Sequence, residues 1–272
     1  MIPLAFDYAR PDSVDGALAL LAEKGEDATV LAGGHSLIPV MKVRLGAPEF
    51  VIDIGKLAEL DYIRVEGDEV RIGAGTKHKD LVTSEVLGTE CPLLPAVART
   101  VGDPQVRARG TIGGSLAHAD PASDLPAAVL ALEGTVVLRG PRGERTVPIG
   151  DFYTGVFESA KEPDEMIVEV RVPRTGDAGW AYEKFTRRSN DWAIVAVAVV
   201  GNKVGLVNMG QTALRATATE RALADGHSIA EAAALAAEGT EPPSDSQGTP
   251  EYRRHLATVL TRRALETAAG QR

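Results

Sequence analysis

The chain carries two Gly-Gly pairs, in the segments Ala32-Gly33-Gly34-His35-Ser36-Leu37 and Thr111-Ile112-Gly113-Gly114-Ser115. Glycine has no Cβ and accepts positive φ, so backbone amides at such pairs can approach a ligand closely. Successive amides turned to one side form a concavity that binds anions. A single Gly-Gly pair also occurs in ordinary turns, but two pairs from different parts of the chain could hold one diphosphate between them.

The better-known phosphate motifs are missing from the sequence. No G-x-x-x-x-G-K-[ST] segment occurs, so a P-loop is not supported. The segment Gly73-Ala74-Gly75 starts like a dinucleotide fingerprint, but the third glycine is missing and the segment follows a predicted hairpin strand. Any nucleotide must therefore be held by something other than a Rossmann fold.

The pattern of apolar residues predicts an α+β chain. Ser13 or Asp15 can cap a helix that ends at Gly25, and this helix with buried strands at residues 28–32 and 50–54 indicates a small α/β lobe. A second, mostly antiparallel lobe is predicted to follow, with strands at residues 62–65, 69–72, 135–139, 145–147 and 166–172 and helices at residues 78–84, 93–101 and 127–132.

A turn-rich segment, residues 173–177, is the predicted domain boundary. The first domain is then residues 1–175, with lobes of about 1–56 and 57–175, and the second is residues 176–272. The second domain is predicted to have three strands, at residues 180–186, 194–200 and 204–209. Helices are predicted at residues 216–224, 229–237 and 252–268, and an exposed loop at residues 239–248.

Charge and cysteine content exclude several classes of protein. The net charge of −9 argues against a nucleic-acid-binding protein, which normally carries a basic excess. Cys91 is the only cysteine, so the chain cannot supply the four cysteine ligands of an ordinary iron–sulfur cluster. The longest apolar run, residues 192–200, is far shorter than the roughly 20 residues of a membrane helix, and no secretion signal is visible. We therefore expect no transmembrane segment and a cytoplasmic location.

The stretch after the second glycine pair places His118, Asp120 and Asp124 in a loop before a predicted helix. Asp124 could cap that helix, with Pro126 just inside it, or contact a ligand, and the two roles can coexist. His118, like His35, is interpreted as an ordinary polar loop residue, because no Ser/His/Asp order or H-E-x-x-H spacing recruits either as a catalyst.

Five segments, in order, resemble the FAD subunit or domain of the xanthine dehydrogenase and carbon monoxide dehydrogenase group. AGGHSLIPVMKVR (32–44) and TIGGSLAHADPASDLPAAVLAL (111–132) are similar to the two FAD pyrophosphate loops of that family. Residues 151–173 resemble the segment that closes the flavin domain of that family. Residues 182–198 resemble the start of the family's C-terminal flavoprotein domain, and residues 251–265 resemble the terminal helix of that domain. The similarity is collinear over nearly the whole chain, which makes it far more specific than either glycine pair.

The resemblance implies a fold, a cofactor and a site. The fold would be the two-lobed FAD-binding architecture of the vanillyl-alcohol oxidase/PCMH type, followed by a small α+β C-terminal domain, and the FAD would be noncovalent. The positions that would contact it are Val30, Leu31, Ala32, Gly33, Gly34, His35, Ser36, Leu37, Val101, Gly110, Thr111, Ile112, Gly113, Gly114, Ser115, Ala117, Asp120, Asp124, Ile167 and Lys184.

Two of these positions have particular expectations attached. Val101 stands where some members of the family place an aromatic residue near the flavin. Lys184 would stabilise a reduced, anionic flavin if it lies near the ring, and otherwise it is a solvated lysine on a strand.

The family also implies partners. Its members assemble with a large molybdopterin subunit and a small subunit that carries two [2Fe–2S] clusters, and we expect a dimer of heterotrimers. Electrons would pass from the molybdenum site through the clusters to FAD on this chain, and then to NAD, a quinone or oxygen. The single cysteine agrees with clusters on a partner and rules against the variant whose flavin subunit carries its own cluster.

Two alternatives belong to other classes. One is a stand-alone FAD-dependent oxidoreductase, as in the cell-wall precursor reductases of the same broad fold, for which the sequence offers no convincing set of acid/base residues. The other is a scaffold subunit that keeps the fold without flavin.

Overall fold

The N-terminal lobe is a three-stranded parallel sheet with two helices. The computed structural model describes residues 2–271. The elements of this lobe are β1 (Asp7–Ala9), α1 (Val14–Lys24), β2 (Ala28–Leu31), α2 (Leu37–Lys42) and β3 (Phe50–Asp53), with the strand order β1-β3-β2. Ser13 caps α1, because its side chain accepts a hydrogen bond from the Gly16 amide at 3.0 Å, and Gly25 ends the helix with a φ of 57°. Asp15, the alternative cap, lies in the first turn instead.

The second lobe is built on a five-stranded antiparallel sheet of order β4-β5-β10-β6-β7. Its strands are β4 (Ile63–Glu66), β5 (Glu69–Gly73), β6 (Thr135–Gly140), β7 (Gly143–Pro148), β8 (Tyr153–Gly155), β9 (Glu158–Ser159) and β10 (Met166–Pro173), of which β8 and β9 form a separate hairpin. Its helices are α3 (His78–Thr83), α4 (Glu85–Glu90), α5 (Leu93–Arg99), α6 (Pro104–Arg107), α7 (Ile112–His118), α8 (Asp124–Ala131) and α9 (Ile149–Phe152).

The C-terminal region contains an antiparallel sheet of four strands, not the three that the sequence predicted. The additional strand is only two residues long, which is too short to show an alternating pattern. The elements are β11 (Trp180–Phe185), β12 (Val195–Val200), β13 (Lys203–Val207), β14 (Leu214–Arg215), α10 (Thr217–Ala224), α11 (Ile229–Ala234) and α12 (Pro250–Ala269). Within residues 2–271, none of the helices combines the length and the apolar character needed to span a bilayer.

Helix α8 joins the second lobe to the C-terminal sheet. All of its residues are buried, and it packs against β12 and β13. The approach is close, because a Cβ on Gly205 of β13 would lie 2.1 Å from the Ala127 carbonyl oxygen. Apolar residues of both regions therefore share one hydrophobic core, which fixes the first residue of α8, Asp124, relative to β11.

Candidate functional site

A cleft of about 870 Å³ lies where the two lobes and the C-terminal sheet meet. Most of its lining comes from four stretches of chain, within residues 28–37, 101–118, 161–167 and 184–192, and single residues of other segments complete it. Clefts that hold cofactors and drug-sized ligands measure about 300–1,000 Å³, so this one has the capacity for a large cofactor.

The first glycine pair forms the loop between β2 and α2 and contacts the second lobe directly. A Cβ on Gly33 would lie 2.4 Å from the Arg109 carbonyl oxygen, so only glycine allows this contact. Gly34 has a φ of 80°, a left-handed conformation that favours glycine. Among residues 2–271, no acceptor is found for the backbone N–H groups of Gly33, Gly34, His35 and Ser36. Four consecutive amides on the wall of the cleft are therefore free to bind an anion.

The second glycine pair has a different role from the one predicted. Gly113 and Gly114 lie in the first turn of α7, where Thr111 Oγ1 accepts from the Gly114 amide at 3.1 Å. The amides of Ile112 and Gly113 donate to the carbonyl oxygens of Thr76 and Ala74 at 3.0 and 2.9 Å. The expectation that both pairs offer free amides is therefore wrong for residues 112–115, because their amides are already bonded within the protein.

The glycine at position 113 is needed for packing. A Cβ there would lie 2.6 Å from the Cβ of Ala74 and 2.7 Å from its carbonyl oxygen, so α7 could not approach the end of β5 as closely. The residues of this segment that line the cleft include Ser115, whose hydroxyl can serve as a donor where the bonded amides cannot.

A buried ion pair forms another part of the wall. Lys184 Nζ lies 2.7 Å from Asp124 Oδ2 and 3.1 Å from the Thr100 carbonyl oxygen, and the Tyr182 hydroxyl donates to Asp124 Oδ1. Only 9% of the Lys184 side chain is exposed, so it is not a solvated lysine. Burial raises the pKa of the Asp124 carboxyl, and the Lys184 ammonium and the Tyr182 hydroxyl oppose part of that increase.

Of the two roles that the sequence leaves open for Asp124, helix capping is not the one that the structure shows. Asp124 is the first residue of α8, the cap position belongs to Ser123, and no side chain caps the helix. The carboxylate is drawn to the ammonium group of Lys184, because a buried charge needs a partner of opposite sign.

All but two of the predicted contact positions line the cleft. Those that line it are Val30, Leu31, Ala32, Gly33, Gly34, His35, Ser36, Leu37, Val101, Gly110, Thr111, Gly113, Gly114, Ser115, Ala117, Asp124, Ile167 and Lys184. Ile112 is fully buried in the core beneath, and Asp120 Oδ1 accepts from the Ala122 amide at 2.9 Å in a local turn.

Several polar or aromatic residues at the site were not among the predicted contacts. His78 Nε2 lies 3.0 Å from Ser115 Oγ, Tyr182 bonds to Asp124, and the half-exposed ring of Trp192 lies at the cleft. Tyr182 could have been found from the sequence, because residues two apart on a strand share a face and Lys184 was already a predicted contact. No local pattern points from His78 to a serine 37 residues further on.

Comparison with known proteins decides the family. Residues 4–175 match the family described as the FAD binding domain in molybdopterin dehydrogenase, and residues 180–268 match the CO dehydrogenase flavoprotein C-terminal domain. The chain belongs to the FAD-binding family of the molybdopterin dehydrogenases. The family resemblance and the fold class predicted from the sequence are thereby confirmed.

Named proteins of other organisms are similar to this chain over nearly their full length. The carbon monoxide dehydrogenase medium chain of Hydrogenophaga pseudoflava is 43% identical, with 98% of each chain covered. The 6-hydroxypseudooxynicotine dehydrogenase complex subunit alpha of Paenarthrobacter nicotinovorans is 38% identical, over 98% of this chain and 96% of that protein. A solved structure of carbon monoxide dehydrogenase from Hydrogenophaga pseudoflava matches with a TM-score of 0.96 at 44% identity, covering 100% of this chain and 99% of that one.

The residues present fit the cofactor that the FAD-binding family takes. A diphosphate needs hydrogen-bond donors without a protein partner, and the free amides at residues 33–36 supply them. The cleft around those amides is large, and the Lys184 ammonium lies on its wall.

Proposed function

We propose that this chain is the FAD-binding electron-transfer subunit of a heteromeric molybdenum hydroxylase. The observation that carries the proposal is the run of four free amides on the wall of a cleft of about 870 Å³. The match to the FAD-binding family along residues 4–175 supports it.

The chain's own residues would bind and orient the cofactor without a covalent bond. The amides of Gly33, Gly34, His35 and Ser36 would donate to the diphosphate, and the Ser115 hydroxyl would face it from α7. When bound, FAD supplies the electron-transfer chemistry, between the [2Fe–2S] clusters of a partner and an external acceptor. The Lys184 ammonium, held by Asp124, would stabilise negative charge on the flavin ring.

The partners follow from the same proposal. We expect a large molybdopterin subunit and a small [2Fe–2S] subunit, assembled as a dimer of heterotrimers, with NAD, a quinone or oxygen as the electron acceptor. Relatives that match this chain over nearly their whole length belong to enzymes named for carbon monoxide and for 6-hydroxypseudooxynicotine. Because such different substrates go with similar chains, we place substrate recognition on the molybdopterin subunit.

The first test is the composition of the purified protein. We expect a yellow protein that releases FAD on denaturation and that purifies with molybdenum and iron. A colourless protein without extractable flavin would refute the proposal in favour of a scaffold. A yellow protein that purifies without either metal would instead indicate a stand-alone flavin oxidoreductase.

A second test addresses Lys184. Lys184→Met should make the reduction potential of the bound flavin more negative, because a positive charge beside the reduced ring is lost. Lys203→Met is the matched control, since Lys203 lies on β13 of the same sheet, half exposed and paired with Glu133 at 2.9 Å. Equal potentials and equal FAD affinities in Lys184→Met and the parent protein would remove Lys184 from the site.

A further inference from the structure

His78 occupies the wall of the cleft between the two glycine segments. It is the first residue of α3, and its backbone amide donates to the Gly110 carbonyl oxygen at 2.9 Å. The residue is 3% exposed, and its ring packs so closely on Gly110 that a Cβ there would lie 2.9 Å from Cε1. Only glycine at position 110 therefore leaves room for the ring in this position.

The two ring nitrogens of His78 have different surroundings. Nε2 lies 3.0 Å from Ser115 Oγ, whereas Nδ1 is buried without a hydrogen-bond partner within residues 2–271. Burial lowers the pKa of His78 to about 4, so the imidazole is neutral near pH 7 and carries one N–H.

The position of that N–H determines what Ser115 can offer. A buried N–H without an acceptor is rarer in proteins than a buried acceptor without a donor, which favours the proton on Nε2. Nε2 then donates to Ser115 Oγ, and the serine O–H is free to donate elsewhere. Ser115 lines the cleft, so its hydroxyl can point toward a bound anion, and the bond from His78 would polarise it.

We propose that His78 is a positioning residue that turns the hydroxyl of Ser115 toward a phosphate oxygen of FAD. The inference rests on the proposed function, since it assigns the residue that orients one of the diphosphate donors. It gives the second glycine segment a donor in the place of the amides of residues 112–115, which are bonded within the protein.

A double-mutant cycle tests the coupling between the two side chains. The dissociation constant of FAD is measured by flavin fluorescence on the flavin-free full chain, with whichever subunits purify with it. Ser115→Ala should weaken binding about tenfold, the order expected for one hydrogen bond to a charged group. His78→Leu should weaken binding about three- to tenfold in the parent protein but less than about twofold when Ser115 is already alanine.

Rescue by a conservative variant separates positioning from packing. The amide of glutamine can place an N–H near the position of Nε2, so His78→Gln should bind FAD within about twofold of the parent protein. His78→Asn keeps a polar group but is too short to reach Ser115, and it replaces His78→Leu in the cycle if that variant does not fold.

The outcomes distinguish a positioning role of His78 from a role in packing alone. If His78→Leu or His78→Asn weakens binding equally with and without Ser115, or if His78→Gln is as damaging as they are, His78 acts only through packing and the inference is overturned. If the parent protein itself takes up no FAD, the proposed function fails and not this assignment alone.

Discussion

Gly33 is the residue whose replacement should separate the two glycine segments. A Cβ at this position would lie 2.4 Å from the Arg109 carbonyl oxygen and 2.9 Å from the Gly110 Cα. Ordinary contacts begin near 3.4 Å, so Gly33→Ala must move the first segment away from the second by about 1 Å. Both obstructing atoms are backbone, so no side-chain rotation can relieve the overlap.

That displacement should abolish high-affinity FAD binding. Binding groups have to be held within about 0.5 Å of their working positions, so a shift of about 1 Å should raise the dissociation constant about 100-fold. The assay is FAD uptake by flavin-free protein, followed by fluorescence, with circular dichroism to show that the fold is retained. Gly88→Ala in α4 is the matched control, because a Cβ there has open space and should leave uptake unchanged. A Gly33→Ala protein that binds FAD within about threefold of the parent would contradict this prediction, since the contact between Gly33 and Arg109 would then be irrelevant to binding.

Three further predictions follow from packing, protonation and charge. Gly205→Ala should lower the free energy of unfolding by about 2–3 kcal/mol in urea titrations, because its Cβ would overlap the Ala127 carbonyl, and a stability equal to the parent would contradict this. The pKa of His78 is about 4 in the folded protein, below its value of 6.5 in the unfolded chain, so protonation favours the unfolded chain. The free energy of unfolding should therefore be highest above pH 6.5 and should fall by up to about 3 kcal/mol as the pH drops to 4. His78→Gln should lose that pH dependence, and an unchanged pH profile in the variant would assign it to other groups. The dissociation constant of FAD should change less than about threefold between 0.05 and 0.5 M NaCl, and a tenfold weakening would show that exposed cations hold the diphosphate.

The elements of the fold were predictable where a segment has its own periodicity. The hairpin of β4 and β5 and the antiparallel lobe around it follow from alternating apolar residues, and Ser13 and Gly25 mark the ends of α1. Helix α7 was missed because two glycines weaken helix propensity, which made a turn the better prediction. Its start is set by tertiary contacts with Ala74 and Thr76, which no local pattern reveals.

The sequence could predict which residues lie at the site, but not which of their side chains contact each other. The family resemblance selected Asp124 and Lys184, but a separation of 60 residues hides the fact that they form an ion pair. The same limit applies to His78 and Ser115, whose contact depends on how α3 and α7 pack. Capping was one of the two roles left open for Asp124, and the sequence could not reject it because the local rule for capping takes no account of a lysine on a distant strand.

Neutral dipoles explain how an acidic chain can bind an acidic cofactor. The acidic residues that line the cleft outnumber the basic ones, the former being Glu26, Asp124, Glu165 and Asp191 and the latter Lys161 and Lys184. The Lys184 charge is shared with Asp124, so little net positive charge is left to attract a diphosphate. Backbone N–H groups supply the attraction without any cation, provided that the chain leaves several of them in a row without an acceptor. The loop between β2 and α2 leaves the amides of residues 33–36 without an acceptor, whereas amides in the first turn of α7 bond to carbonyl oxygens within the second lobe. One glycine pair is therefore available to bind the diphosphate, and the other stabilises the packing of the lobe.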